Sequence, residues 1–278
     1  NGIDEIGESY VGNKMTYEID YNPWMQKELA DLKIEMPKRN GLYNLSLTVS
    51  DKSGKVHHTN FMSFIVHHAK AIEDVKIIDD VPGSYHLEDW SLKGETIFSG
   101  SKYIGMGSGF VSYEFPYDKE AVDFLAKQGY LLFEISSRPF YTNDSESETL
   151  RNINYMLGDK ADPVQNPNAY PMTDERLNPS DLAVSINGVV VKSLKLSDDP
   201  ADSRGVLSWF NQKEDGTLNE AGTYGYLVKI PLSRRQLREF KKTRNLNVKL
   251  ETKGENGLAV YGKDFGRYPF NPSLVLLK

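Results

Sequence analysis

Residues 41–66 read GLYNLSLTVSDKSGKVHHTNFMSFIV, and the fold class turns on this stretch. Tyr43, Leu45, Leu47 and Val49 alternate with polar residues, the chain turns through Asp51-Lys52-Ser53-Gly54, and the apolar pattern resumes at Phe61, Phe64 and Val66. A period of two puts one face of each strand in a core and the other in water, and Gly54 lets the chain reverse between them. The stretch is a β-hairpin. A small β-sandwich therefore ends near residue 66, with residues 14–19 and 32–36 as its earlier strands. Its pattern is immunoglobulin-like, yet its roughly seventy residues fall short of the ~100 such a sandwich uses, so initial strands are expected upstream.

Past this hairpin, His67, His68, Ala69 and Lys70 form a short linker, which divides the chain into residues 1–70 and 71–278. The second part shows many short strands separated by polar turns: 75–78, 96–98, 110–115, 130–135, 183–186, 189–194, 226–230, 247–250, 258–261 and 274–277. That density describes a sandwich or jelly roll, so the expected class is all-β with two sandwiches and a few short helices. Asn187-Gly188 supplies the two positive-φ residues of a tight hairpin turn. Ser233 with Gln236 makes a capping box ahead of Leu237 and Phe240. Asp118 can cap a turn reaching Gly129, and Ser145 with Glu148 can open a helix stopped by Gly158. Pro163, Pro167, Pro171 and Pro179 mark a long irregular insertion before residue 183.

Composition narrows the chemistry. With 278 residues and 39% hydrophobic content the chain can fill two ordinary cores. A net charge of −6 argues against nucleic acid, and no segment has the length of a membrane span. The start at Asn1 shows no basic-then-apolar leader, so a signal peptide is expected to be absent or removed and the chain to be a processed piece. Zero cysteines removes disulfides, zinc-thiolate sites and thiol nucleophiles.

Several motifs invite a function and are better explained otherwise. Gly105-Met106-Gly107-Ser108-Gly109 precedes a strand rather than a helix, so it lacks the helix N-terminal donors of a phosphate loop and reads as a turn or bulge. His57 with His58, and His67 with His68, are adjacent, so on a strand they point to opposite faces and do not chelate. The basic run Arg234, Arg235, Arg238, Lys241, Lys242 and Arg244 could form a nucleic-acid or anionic-glycan surface, but cations toward a helix C-terminus suit its dipole, and that reading is favoured. Asp198, Asp199 and Asp202 share one loop and could hold a structural calcium as a cofactor; an ordinary acidic turn is the other reading. Trp90, Tyr141, Tyr268 and the pair Trp209-Phe210 lie in or beside predicted loops, with Arg138, Asn211 and Arg267 as polar neighbours. Exposed rings flanked by such donors can stack on sugar rings, so these eight residues are the candidate carbohydrate platform. No catalytic residue emerges from spacing alone, because paired acids converge from distant positions.

Gly41-Leu42-Tyr43-Asn44-Leu45-Ser46-Leu47, through Asp51-Lys52-Ser53-Gly54-Lys55-Val56 to Asn60 and Phe64, resembles the last strands of the immunoglobulin-like domain that follows the catalytic barrel in bacterial glycoside hydrolase family 2 enzymes. Gly107-Ser108-Gly109-Phe110, Ser185-Ile186-Asn187-Gly188 and Lys229-Ile230-Pro231-Leu232-Ser233 are similar to the galactose-binding-like jelly rolls appended to such enzymes. In that family the catalytic carboxylates sit on a (β/α)₈ barrel, and this chain has no alternating strand and helix repeats. The resemblance thus implies a non-catalytic accessory region of an exported, periplasmic, cell-surface or secreted enzyme. Its implied partners are carbohydrate and the catalytic domain of the same polypeptide. A purely structural module packed on the barrel, and a self-contained hydrolase, are the competing expectations.

Overall fold

The computed structural model describes residues 1–12, 14–19, 34–67, 74–97, 99–117, 121, 124–138, 178–196, 211–212, 218–219, 225–266 and 268–278. It divides into two compact units, Asn1–Ala71 and Ile72–Lys278. Every sheet is antiparallel, and the chain is all-β with one described helix longer than a turn.

In the first unit, β1 (Gly2–Asp4), β2 (Ser9–Tyr10), β3 (Gly41–Ser50) and β4 (Val56–Val66) form one sheet in the order β2-β1-β3-β4. The expected hairpin is β3 and β4. Gly54 turns at φ 87°, and the Asp51 carboxylate accepts from the Ser53 and Lys55 N–H groups at 2.9 and 3.1 Å and from the Ser53 hydroxyl at 2.6 Å. These bonds, with His57 Nε2 at 2.9 Å, hold the carboxyl far below its ordinary value of 3.8; the Ser53 hydroxyl acts most strongly.

Two expectations for this unit fail. Residues 14–19 and the described residues 34–36 are not strands; the short β1 pairs with β3 instead, Gly2 opposite Tyr43 and Asp4 opposite Gly41. Alternation along the hairpin does not mean burial along its whole length. Tyr43 and Val66 are buried, and Tyr43 packs edge-on against Tyr10 and stacks on Phe64. Leu47, Val49 and Met62, on the same face by register, are 52%, 38% and 61% exposed. The apolar period fixes which side chains share a face, and no second described sheet covers the outer half of this one.

The second unit adds, in chain order, β5 (Val75–Asp79), β6 (Leu87–Trp90), β7 (Lys93–Ile97), β8 (Lys102–Met106), β9 (Gly109–Pro116), β10 (Gln128–Arg138), β11 (Ser180–Ile186), β12 (Val189–Leu196), β13 (Asn211–Gln212), β14 (Leu218–Asn219), β15 (Tyr226–Pro231), helix α1 (Arg234–Thr243), β16 (Asn245–Thr252), β17 (Gly257–Tyr261) and β18 (Ser273–Leu277). Seven strands make one sheet, β5-β18-β10-β17-β8-β7 with β15 also on β10. Five make the other, β12-β11-β16-β9-β6, and β13 pairs with β14. The long β10 organises the larger sheet. Residues 128–132 pair with β18 and 134–138 with β17 along one edge, while 130–135 pair with β15 along the other.

Leu131, Phe133, Ile135, Leu258, Val260, Leu274 and Leu276 of the larger sheet meet Val111, Tyr113, Phe115, Leu182, Val184, Val248 and Leu250 of the smaller one in a single core. Complete burial of side chains of this size stabilises by about 1.5–3 kcal/mol each, and two inner apolar faces make the sandwich. Helix α1 follows its capping box: Ser233 Oγ accepts from Gln236 N at 3.2 Å, and Gln236 Oε1 from Ser233 N at 2.7 Å. Its Leu237 and Phe240 join the core. Asn187 and Gly188 turn at φ 48° and 80° between β11 and β12, as their sequence demands.

The glycine-rich segment holds a strand that the sequence reading passed over. Residues 102–106 are β8, and Gly107-Ser108 forms the turn into β9. β6 was missed too, so Trp90 ends a strand rather than sitting in a loop. The helix expected from Asp118 to Gly129 is not continuous: Ala121 is helical, the chain has left the helix by Phe124, and Gly129 lies in β10. The helix expected from Ser145, and most of the insertion before residue 183, fall outside the described residues.

Candidate carbohydrate face

Because side chains alternate along β10, its odd residues 131, 133 and 135 fill the core and its even residues face outward. An outward sheet face usually meets water. Here Glu134 and Ser136 are fully buried and Arg138 is nearly so. Register aligns Lys102 of β8, Tyr261 of β17 and Glu134 of β10 in one row across the sheet. Lys102 is also buried, its Nζ 4.8 Å from the Tyr261 ring centre and 4.9 Å from that of Phe265. A desolvated ammonium between two rings gains from both quadrupoles. The Ser136 and Tyr261 hydroxyls lie 3.0 Å apart.

The loop from Gly262 to Pro272 roofs this row. Tyr268 N donates to Glu134 Oε2 at 2.9 Å, and Gly225 N donates to Glu134 Oε1 at 2.9 Å. Both oxygens of one buried carboxyl group are thus engaged by main-chain donors. Glycine makes the approach feasible. A Cβ on Gly266 would lie 2.3 Å from Glu134 Oε2, and one on Gly225 would lie 2.7 Å from Ile135 N. Asn271 Oδ1 accepts from Lys263 N at 3.1 Å, and its Nδ2 donates to Asp79 Oδ2 at 3.1 Å, fixing the far end of the loop. Tyr268, half-buried, stacks on Phe270 with ring centres 5.8 Å apart and planes 14° from parallel.

Of the eight residues proposed as a platform, Arg138 and Tyr268 belong to this face and its roof. Trp90 lies on the opposite side of the larger sheet, where its ring occupies the space in front of Gly105. Its Nε1–H donates to the Tyr103 hydroxyl, which donates to Glu88 Oε2, while the Tyr85 hydroxyl donates to Glu88 Oε1 at 2.7 Å. Burial, and then the Glu88 bond, raise the Tyr103 phenol far above its ordinary value, so this cluster stays neutral at the phenols and anchors the sandwich end. Tyr141, Trp209, Phe210 and Arg267 lie outside the described residues, as does the side chain of Asn211, which opens β13. Asp198, Asp199 and Asp202 lie outside them as well. Among the described residues no three acids or histidines gather as metal ligands.

Sequence reading missed Lys102, Glu134, Tyr261 and Phe265. Glu134 had a signal, a lone charge within the apolar run Tyr130-Leu131-Leu132-Phe133-Glu134-Ile135. Lys102 had none, since its neighbours are set by pairing with β17, distant in sequence.

No family model and no curated protein matches the chain. Among solved structures, one similar chain is described as a novel family GH115 4-O-methyl-α-glucuronidase with specificity for decorated arabinogalactans. The likeness is weak: TM-score 0.32 and 8% identity, over 77% of this chain and 18% of that one. The chain therefore spans less than a fifth of that enzyme's length.

Proposed function

We propose that this chain is a non-catalytic accessory region of an exported bacterial glycoside hydrolase, with residues 1–70 an immunoglobulin-like spacer and residues 71–278 a jelly roll that holds carbohydrate. The observation that carries this reading is the outer face of the larger sheet, a buried row of charged, hydroxyl and aromatic side chains under a loop that presents the half-buried Tyr268 ring, backed by the buried Phe270. Flat ring surfaces next to fixed polar groups suit the apolar faces and hydroxyls of a sugar. Contact is non-covalent and raises local substrate concentration for a tethered catalytic domain. Calcium on Asp198, Asp199 and Asp202 would stiffen the segment that carries them.

A second reading, a structural module that packs on a catalytic domain, is favoured by the exposed Leu47, Val49 and Met62 of the hairpin. Screening the chain on a glycan array, followed by calorimetry with the wild type and Tyr268→Ala, separates the two. Loss of one stacking ring should weaken binding about five- to tenfold. Binding to no glycan, or binding indifferent to Tyr268, would refute the platform.

A further inference from the structure

We propose that the exposed face of α1 is a docking surface for a linear polyanionic polysaccharide, one carrying carboxylate or sulfate groups. Arg234, Arg235, Arg238, Lys241 and Lys242 are all exposed, as is Arg244, the C-cap residue. At 100° per residue the five helical cations fall within an arc of about 120°, on the side away from the buried Leu237 and Phe240, and span about 12 Å along the axis. Lys241 Nζ is held 3.3 Å from Ala126 O, which brings the exposed Lys127 alongside and widens the patch. Among the described residues no carboxylate pairs with Arg234, Arg235, Arg238 or Lys242. The helix's own acid, Glu239, is half-buried and accepts from Asn187 Nδ2 at 3.4 Å.

Helix stability accounts for only half of this pattern. Lys241 and Lys242 in the last turn complement the dipole, but Arg234 and Arg235 stand in the first turn, which contains no acid, and oppose it. Cations kept where they work against their own helix point to an anionic partner. The surroundings select its class. The apolar side chains of α1, Leu237 and Phe240, are buried, so the helix itself has no apolar face to insert into a bilayer. Tyr117, beside the helix, is packed edge-on against Phe240 at 4.8 Å, so among the described residues this ring is engaged with the core rather than set out for stacking bases. A short stripe of cations matches charges repeated once per sugar along a linear chain. This surface is separate from the Tyr268 face, and either can fail without the other.

The test measures binding of the whole chain to polygalacturonate, dextran sulfate, neutral dextran, a single-stranded oligonucleotide and phosphatidylserine vesicles. Both anionic polysaccharides should bind and neutral dextran should not. With four contacting cations the log–log salt slope should be about −3, close to a 50-fold loss of affinity between about 50 and 200 mM salt. The variant R235Q/R238Q/K242Q should bind at least about tenfold more weakly, with a slope near −1. Its thermal midpoint should match the wild type, since all three side chains are exposed. Absence of binding to both polyanions at about 50 mM salt, wild-type affinity in the triple variant, or tighter binding to the oligonucleotide or vesicles would overturn the proposal.

Discussion

Replacing Glu134 by glutamine tests whether the roof over the larger sheet is anchored by charge. The amide keeps one acceptor oxygen, but its NH₂ must face either Gly225 N–H or Tyr268 N–H, which now donate at 2.9 Å to separate carboxylate oxygens. One charge-assisted bond is lost and a buried donor is left facing a donor. Bonds to charged groups contribute about 1.5–3 kcal/mol, so Glu134→Gln should destabilise the second unit by about 2–3 kcal/mol. For a domain of this size that lowers the thermal midpoint by about 4–12 °C. Near-ultraviolet circular dichroism follows the melt, and hydrogen exchange reads the Gly225 and Tyr268 amides, at least one of which should lose protection. Glu114, whose contact with His86 at 3.4 Å is exposed, serves as the control; Glu114→Gln should change stability by no more than about 0.5 kcal/mol. A midpoint for Glu134→Gln within about 1 °C of wild type, with both amides still protected, would refute the anchoring role.

Further outcomes follow from other sites. Gly188→Ala should cost about 1 kcal/mol in urea unfolding: an added Cβ meets nothing within 4 Å, so the whole effect comes from φ 80°, and a neutral result would contradict the turn geometry. Leu47→Lys combined with Met62→Lys should leave the thermal midpoint of the chain nearly unchanged, because both side chains are more than half exposed; a fall of about 5 °C or more would mean that the hairpin face is covered. Asp51 has a folded-state pKa below its ordinary 3.8, so its stabilising effect is complete above that value and is lost as pH falls below it. The stability gap between wild type and Asp51→Asn, measured by urea titration, should therefore shrink from about pH 5 to below about pH 3, and a gap that grows on acidification would reverse this assignment.

Local chemistry was legible in the residues themselves. Asn187-Gly188, Asp51 to Gly54 and Ser233 with Gln236 each specify a turn or cap through their own dihedral limits and side-chain bonds, and each forms where expected. Most strands of the second unit were visible for the same reason, since β-branched and aromatic residues at period two need only their neighbours. β8 escaped notice because Gly105 interrupts its pattern, although Gly105 is there to admit the Trp90 ring.

What the sequence determined without help is the first unit's hairpin, most strands of the second unit and which side chains share a face, because alternation and turn geometry act over a few residues. Whether a face meets water was decided only by the tertiary structure. The apolar Leu47 and Met62 stand exposed, while the charged Lys102, Glu134 and Arg138 are buried. Burial depends on what long-range pairing brings alongside: the Tyr261 and Phe265 rings beside Lys102, and the Gly225 and Tyr268 amides on Glu134, reach those charges from distant parts of the chain.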